Sequence, residues 1–517
     1  MCTGWVYPCG YLWTNFHNPA LTCGFVYAQL WRRKRFDTPR SGGLCTGVAR
    51  HNEAHAQDQP AGARPPRQTA PSPGDNRRVS GRDRYAQDRE ILRLAVPAFF
   101  ALVSEPLMLL ADSAIVGHLG TPQLAALGVA GTILQTLVGI CVFLAYGTTS
   151  AVARRIGAGD HRGALAQGID GLWLALLLGV VLAIAGLLLA PQAIAAFDPS
   201  PDVADYAVTY LRISCLGIPS MLLLLAATGV LRGLQDTKTP MVVAISANLV
   251  NIALNLFLVY GLDLNIAGSA LGTVLAQTAA GIALVVVVVR GARRDGAKLR
   301  PDRPGILASA QSGIPLVVRT LTLRAAIILA TFVATSLGTT SVAAHQVAFT
   351  LWSFLALALD AIAIAAQALT GRALGAGDVE GTRAITRRMM WWGLVSGFVG
   401  GLALWGLRDL YVPLFTTDPE VRSTLAAVLL IAAIWQPVNG VVFVLDGVLI
   451  GAGDGPYLAV AGVIALVLYV PLALSVLWFD GGVVALWWAF GGFMLLRLLT
   501  LLTRERRDDW LVTGAVR

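Results

Sequence analysis

The chain has 517 residues, of which 56% are hydrophobic and only 13% are charged. Because soluble domains carry about 25% charged residues, this composition excludes a conventional soluble enzyme as well as a disordered or fibrous chain. The net charge of +9 belongs mostly to residues 1–89, so it does not indicate a nucleic-acid or acidic partner for the rest of the chain. Long apolar blocks, for example 171–190 and 281–289, indicate a polytopic α-helical membrane protein.

Residues 1–85 form a basic leader that differs from the remaining sequence. Four of the six cysteines lie in it, at spacings that fit no zinc site. Its basic run at 31–35 follows a weakly apolar stretch, whereas a secretory signal has the opposite order. The composition favours disorder. A second interpretation is that the segment is not translated, because no methionine lies between Met1 and Met108, and a start near Val79 would leave a short leader.

Twelve apolar segments follow the leader, each with the roughly 20 residues that a helix needs to cross a hydrocarbon core of about 30 Å. We predict membrane-spanning helices over residues 91–113, 124–149, 165–190, 203–226, 240–260, 267–290, 306–335, 342–370, 384–412, 421–446, 457–479 and 482–503.

The loops between these helices alternate in charge. One set carries most of the basic residues, including the arginines at 154, 155 and 162 and the basic residues at 290–303, 372–388 and 497–507. The opposite set holds only Arg408 and Arg422. Because basic loops remain in the cytoplasm, we predict that both termini are cytoplasmic.

The sequence contains an internal repeat with an offset of 218 positions. The tetrapeptide Gly-Ala-Gly-Asp at 157–160 recurs at 375–378, and prolines at 97 and 219 recur at 315 and 437, where we expect bends. Six helices return the chain to the same side, so the repeats are parallel and related by a pseudo-two-fold axis along the membrane normal. This predicts an all-α membrane protein with two six-helix lobes that enclose a cavity, which favours a transporter.

The predicted organisation has four parts after the leader. They are an N-lobe (86–290), a cytoplasmic inter-lobe loop (291–305), a C-lobe (306–503) and a cytoplasmic tail (504–517).

Several motifs resemble multidrug and toxic compound extrusion (MATE) transporters. They are "LAVPAFFALVSEPLMLLADSAIVGHLG" (94–120) and "GVLRGLQDTKTP" (229–240). In the second half, "AAHQVAFTLWSFLALALDAIAIAAQALTGRALGAGD" (343–378) and "QPVNGVVFVLDGVLIGAGD" (436–454) resemble the DinF branch of that family. The resemblance covers residues 90–510. It implies a twelve-helix antiporter that exports amphipathic, often cationic compounds in exchange for H⁺ or Na⁺, with H⁺ favoured in the DinF branch.

Two acids lie within the first predicted helix. Glu105 and Asp112 are seven residues apart and therefore share one helix face. Charges inside a membrane are costly and mark functional sites, so both are candidates for proton or cation coupling. The resemblance implies that Asp112, which stands in the family's "D(T/S)A-x-x-G" motif, couples protonation to substrate release. The alternative is that Asp112 is a hydrated cap near the helix end.

Uncharged polar residues form a stripe on the fifth and sixth helices. Asn248, Asn251 and Asn255 share one face of the fifth helix, and Thr273 and Gln277 share one face of the sixth. We expect these residues to line the N-lobe cavity or to form interhelical hydrogen bonds. Where family members often have an acid, this chain has Asn255, so a two-carboxylate cation site is not expected.

The C-lobe carries its own charged residues. Arg319 and Arg324 lie in the seventh helix, Asp360 in the eighth and Asp446 at the end of the tenth. We expect Arg319 or Arg324 to pair with Asp360, either as a structural lock or as a group that binds substrate. His345, at the start of the eighth helix, is a candidate titrating group or a polar cap.

We find no ATP-binding motif, metal cluster, catalytic nucleophile or cofactor fingerprint in the sequence. The favoured hypothesis is a monomeric antiporter in a bacterial inner membrane that uses H⁺, or less favourably Na⁺, and needs no cofactor, metal or nucleic acid. The alternative is a flippase for a lipid-linked precursor, which Arg319 and Arg324 would suit.

Overall fold

Helices account for nearly all regular structure in residues 81–517, the range that the computed structural model of the protein describes. The α-helices are α1 (Gly81–Gly117), α2 (Thr121–Ile140), α3 (Phe143–Gly157), α4 (His161–Ala195), α5 (Pro201–Cys215), α6 (Ile218–Gly233), α7 (Lys238–Leu256), α8 (Asn265–Arg294), α9 (Arg303–Ser336), α10 (Thr339–Gly375), α11 (Val379–Gly406), α12 (Arg408–Phe415), α13 (Pro419–Gly451), α14 (Gly455–Trp478) and α15 (Gly482–Glu505). The predictions for residues 1–80 lie outside the described residues. Residues 81–85, assigned above to the leader, belong to α1.

This range holds eleven or twelve candidate membrane spans, depending on whether one bent pair of helices is counted as a span. Eleven helical stretches are long and apolar enough to cross a membrane, and α2 and α3 together form one of them. The bent pair is α5 and α6, which meet at an angle of 49° and give the twelfth predicted span when they are counted as one. Because Pro219 has no N–H group to bond the carbonyl of Cys215, the helix breaks there. By contrast, α1, α9 and α13 continue through their repeated prolines.

The ninth span ends earlier than predicted. Instead of a helix over 384–412, α11 ends at Gly406 and the short helix α12 follows after Leu407. The guanidinium of Arg408 lies 3.8 Å from the ring centroid of Trp405 and donates to the Trp405 carbonyl at 3.0 Å. These contacts hold the first residue of α12 against the last turn of α11.

The repeated Gly-Ala-Gly-Asp tetrapeptide forms the same turn in both lobes. Gly159 and Gly377 adopt φ values of 78° and 77°, a left-handed conformation that suits glycine. Asp160 and Asp378 then cap α4 and α11, each accepting a backbone N–H at 2.8 Å from a glycine three residues later. The repeat is therefore a structural turn that ends one span and begins the next.

The lobes contact each other at the ends of the helices that carry the arginine-rich loops, here called the basic end. In α10, every residue from 361 to 371 is buried, and this stretch packs between the lobes. Near the end of α3, a side chain at Gly157 would overlap the Arg372 carbonyl. In turn, a side chain at Gly375 would overlap the Arg154 carbonyl. The backbones of α3 and α10 therefore touch at the basic end.

This contact leads to a testable prediction. Gly375→Val should force the basic end apart, because overpacking a tight contact costs about 1–3 kcal/mol. The reporter is a single cysteine, Thr370→Cys, introduced after the other cysteines have been replaced; Thr370 is buried in the same stretch of α10. We expect Gly375→Val to raise the rate at which maleimide labels this cysteine about tenfold. Gly128→Val is the matched control, since Gly128 has open space beside it; equal labelling in both variants would contradict the prediction.

Candidate functional site

Three polar residues predicted from the sequence meet around Asp112 in the N-lobe. Asp112 lies on α1 and is only 2% exposed. One carboxylate oxygen accepts from Asn255 Nδ2 at 2.6 Å, and the other accepts from Thr273 Oγ1 at 3.4 Å. Asn251 Nδ2 donates to Thr273 Oγ1 at 2.9 Å. Asp112 is thus enclosed by α1, α7 and α8 and is not a hydrated helix cap.

The partners of Asp112 carry no charge. Within residues 85–517 its carboxylate makes no ion pair, and both of its neighbours are neutral donors. The Oδ1 atom of Asn255 is buried and has no hydrogen-bond partner there. Because an amide is both donor and acceptor, Asn255 can donate to the carboxylate or accept from the protonated acid. The site therefore suits a carboxyl group that gains and loses a proton.

The remaining N-lobe candidates lie beside this cluster, along α1. Asn248 is half-buried and its Nδ2 donates to the Ser104 carbonyl at 2.5 Å. Gln277 Nε2 lies 3.9 Å from the sulfur of Met108. Glu105 is exposed, although it shares a helix face with buried Asp112. The predicted stripe thus divides into a buried cluster and an accessible part near Glu105.

The predicted pairing in the C-lobe is wrong. Asp446 accepts from Arg319 at 2.5 Å and also from Arg497, so it, and not Asp360, is the partner of Arg319. Asp446 lies well inside α13, which continues to Gly451, and it faces α9 and α15. Arg497, assigned above to a basic loop, is buried in α15. An arginine within the apolar run "FMLLRLLTLL" is the signal that could have identified it.

Asp360 and Arg324 are in no ion pair among residues 85–517. Asp360 lines a cavity of about 10 Å³ together with Tyr146, Arg319 and Asp446. A cavity of this size is about the smallest that can hold one water molecule. The Arg324 guanidinium extends to Gly139 of α2, in the other lobe.

His345 is buried in α10 and is not a helix cap. Its ring lies 6.1 Å from that of Phe349 and 5.9 Å from that of Trp487, between centroids. It adjoins Ala330, which occupies the position 218 residues after Asp112. The C-lobe thus has an aromatic interior at the place where the N-lobe has its acid.

Two similar lobes of apolar spans, with a buried acid in one of them, are typical of a membrane transporter. The MatE family model matches the chain twice, at residues 97–257 and 315–474, and the two matches begin 218 positions apart. The chain therefore belongs to the MATE family, whose members include multidrug efflux transporters.

Relatives from a plant and a bacterium match along most of the chain. Protein DETOXIFICATION 43 of Arabidopsis thaliana is 30% identical over 83% of this chain and 92% of its own length. DNA damage-inducible protein F of Escherichia coli (strain K12) is 30% identical over 82% of this chain and 93% of its own length, which agrees with the DinF-like branch. Among solved structures, an outward-facing multidrug resistance MATE transporter of the MOP superfamily has the same fold. Its TM-score is 0.75 at 23% identity, covering 82% of this chain and 96% of that chain.

Proposed function

We propose that this protein exports amphipathic, often cationic compounds in exchange for H⁺, with Asp112 as the coupling group. The observation that carries the proposal is the environment of Asp112, which is buried and bound only by neutral donors. A buried acid without a basic partner can change its charge without leaving another charge unpaired. Protonation then removes the negative charge that attracts a cationic substrate.

A proton suits this site better than Na⁺. Sodium would require several oxygen ligands directed at it, whereas both carboxylate oxygens of Asp112 already accept hydrogen bonds. Asn255 provides one amide oxygen where a second carboxylate would strengthen cation binding. The amide can follow a change in protonation by exchanging its donor and acceptor roles.

The proposed transport cycle alternates access between the two sides of the membrane. If the basic end faces the cytoplasm, as the charge distribution predicts, then the contacts between α3 and α10 close the cytoplasmic side. The accessible position of Glu105, on the Asp112 face of α1, is consistent with a cleft toward the other side. We therefore propose that this conformation is outward-open. We also propose that the protein acts as a monomer in a bacterial inner membrane.

The coupling ion is tested in proteoliposomes loaded with a fluorescent organic cation. We expect an imposed pH gradient, acidic on the side opposite the basic end, to drive transport, and an equal Na⁺ gradient at uniform pH to drive none. Transport by the Na⁺ gradient alone would overturn the choice of ion. Lipid scrambling that needs neither gradient, without transport of the cation, would favour the flippase.

A further inference from the structure

The segment after α15, residues 506–517, folds back over the basic end and is here called the tail segment. A short 3₁₀ turn at Asp508–Trp510 reverses its direction. The indole of Trp510 is wholly buried, and its Nε1 donates to the Glu505 carbonyl at 3.0 Å. The turn thereby fixes the start of the tail segment to α15.

Two further contacts hold the tail segment on the C-lobe. The backbone N–H of Gly514 donates to the Leu374 carbonyl, at the end of α10, at 3.1 Å. Arg517 pairs with Asp454 at 2.9 Å, and the other oxygen of Asp454 pairs with Arg504 of α15 at 2.7 Å. Together with a pair between Asp508 and Arg383 of α11 at 2.6 Å, these contacts anchor the tail segment to the C-lobe along its length.

One contact crosses to the N-lobe. Arg154, at the end of α3, donates through one terminal nitrogen to the Val512 carbonyl at 2.6 Å and through the other to the Ala452 carbonyl at 3.0 Å. Arg154 is only 3% exposed, and within residues 85–517 it forms no ion pair. A buried guanidinium needs hydrogen-bond acceptors. The terminal nitrogens of Arg154 find them in these two backbone carbonyls, both of which lie outside the N-lobe.

The internal repeat shows what the tail segment supplies. Arg372, which lies 218 positions after Arg154, crosses between the lobes in the opposite direction. It bonds Glu90 at 2.6 Å and Gln235 at 2.5 Å, both in the N-lobe. The position equivalent to Glu90 in the C-lobe is Ala308, which offers no side-chain acceptor. Val512 of the tail segment thus provides the second acceptor that the C-lobe itself lacks.

The tail segment also lies along the boundary between the lobes. Residues 515–517 form part of the wall of a cavity of about 680 Å³ that is lined from both lobes. Its N-lobe side includes Arg155 and Gln167, and its C-lobe side includes Ser309 and Ser312. Separation of the lobes at this end therefore moves the walls of the cavity away from the tail segment.

We propose that the tail segment is a strap that holds the basic end closed. The hydrogen bond from Arg154 to the Val512 carbonyl must break before the lobes can separate there. The inference rests on the proposed alternation of the two lobes. It adds a regulatory device, because anything that removes or captures the strap would shift the balance between the two conformations.

The test measures the distance between the lobes in the full chain. Spin labels are placed on Arg162→Cys and Glu380→Cys, which are exposed at equivalent positions of the two lobes, after the other cysteines have been replaced. The test variant lacks residues 512–517 but retains Trp510, so the turn after α15 stays packed. Loss of a hydrogen bond to a buried charge should raise the ratio of open to closed basic ends about tenfold.

Two controls separate the strap from general damage. Asp508→Asn removes a pair with Arg383 that stays within the C-lobe, and it should leave the distance distribution unchanged. Arg154→Gln should open the basic end, and truncation added to it should produce little further change. If truncation alone leaves the distances as in the parent protein, there is no strap. Efflux is measured separately in proteoliposomes, so absent efflux in the parent with an intact distance response would overturn only the proposed transport activity.

Discussion

Replacing Asp112 by asparagine is expected to reduce pH-driven efflux to the rate of protein-free vesicles, a loss of about 100-fold or more. The asparagine carbonyl can still accept the hydrogen bond that Asn255 now donates at 2.6 Å. The cluster between α1, α7 and α8 should therefore keep its packing. What the variant loses is the negative charge and the ability to exchange a proton.

The control for this experiment removes an acid elsewhere in the N-lobe. Asp205→Asn changes an exposed residue of α5, and it should transport at the parental rate. Thr273→Val removes the longer of the two hydrogen bonds, 3.4 Å, and leaves the acid in place, so we expect partial activity. If Asp112→Asn transports as fast as the parent under the same gradient, Asp112 is not the coupling group.

Asp446→Asn should lower the free energy of unfolding by about 3–5 kcal/mol, because it leaves two buried guanidinium groups without their shared counter-ion. Arg319 and Arg497 both donate to Asp446, and no other ion pair involves either of them within residues 85–517. The expected result is a large fall in the midpoint of thermal unfolding in detergent. Asp409→Asn, which removes an exposed partner of Arg408 at 3.5 Å, should change the midpoint little.

Replacing all three residues of this group tests whether it serves only stability or also takes part in transport. If the Arg319–Asp446–Arg497 group serves only the packing of α9, α13 and α15, then replacing all three by apolar residues of similar volume should restore most of the stability. Efflux should then return as well. Restored stability without efflux would assign the group a part in transport.

The spans and the residues of the N-lobe cluster could be predicted because they depend on local patterns. Apolar length indicates the spans, and a spacing of four residues places Asn251 and Asn255 on one face of α7. Their hydrogen bonding around Asp112 depends on how α1, α7 and α8 pack together, which the spacing alone does not determine. The break before Pro219 was harder to predict, since the same proline spacing leaves α9 and α13 continuous.

The C-lobe pairing could not be predicted, because it depends on contacts between distant parts of the chain. Arg319 has two acids within reach in a helical bundle, and only the rotation of α13 decides that Asp446 faces it. The role of Arg154 was equally hidden, since a basic residue in a short loop normally meets solvent. Its acceptor at Val512 is 358 positions away and is a backbone carbonyl, which leaves no trace in the sequence.

The difference in polarity between the two lobes has a consequence for energetics. With Ala330 in place of Asp112, the C-lobe has no second copy of the exchangeable acid. Under the proposed coupling, one proton therefore enters for each monovalent cation that leaves, and the cycle moves no net charge. The membrane voltage would then contribute nothing, and a difference of one pH unit would sustain about a tenfold concentration ratio of the exported compound.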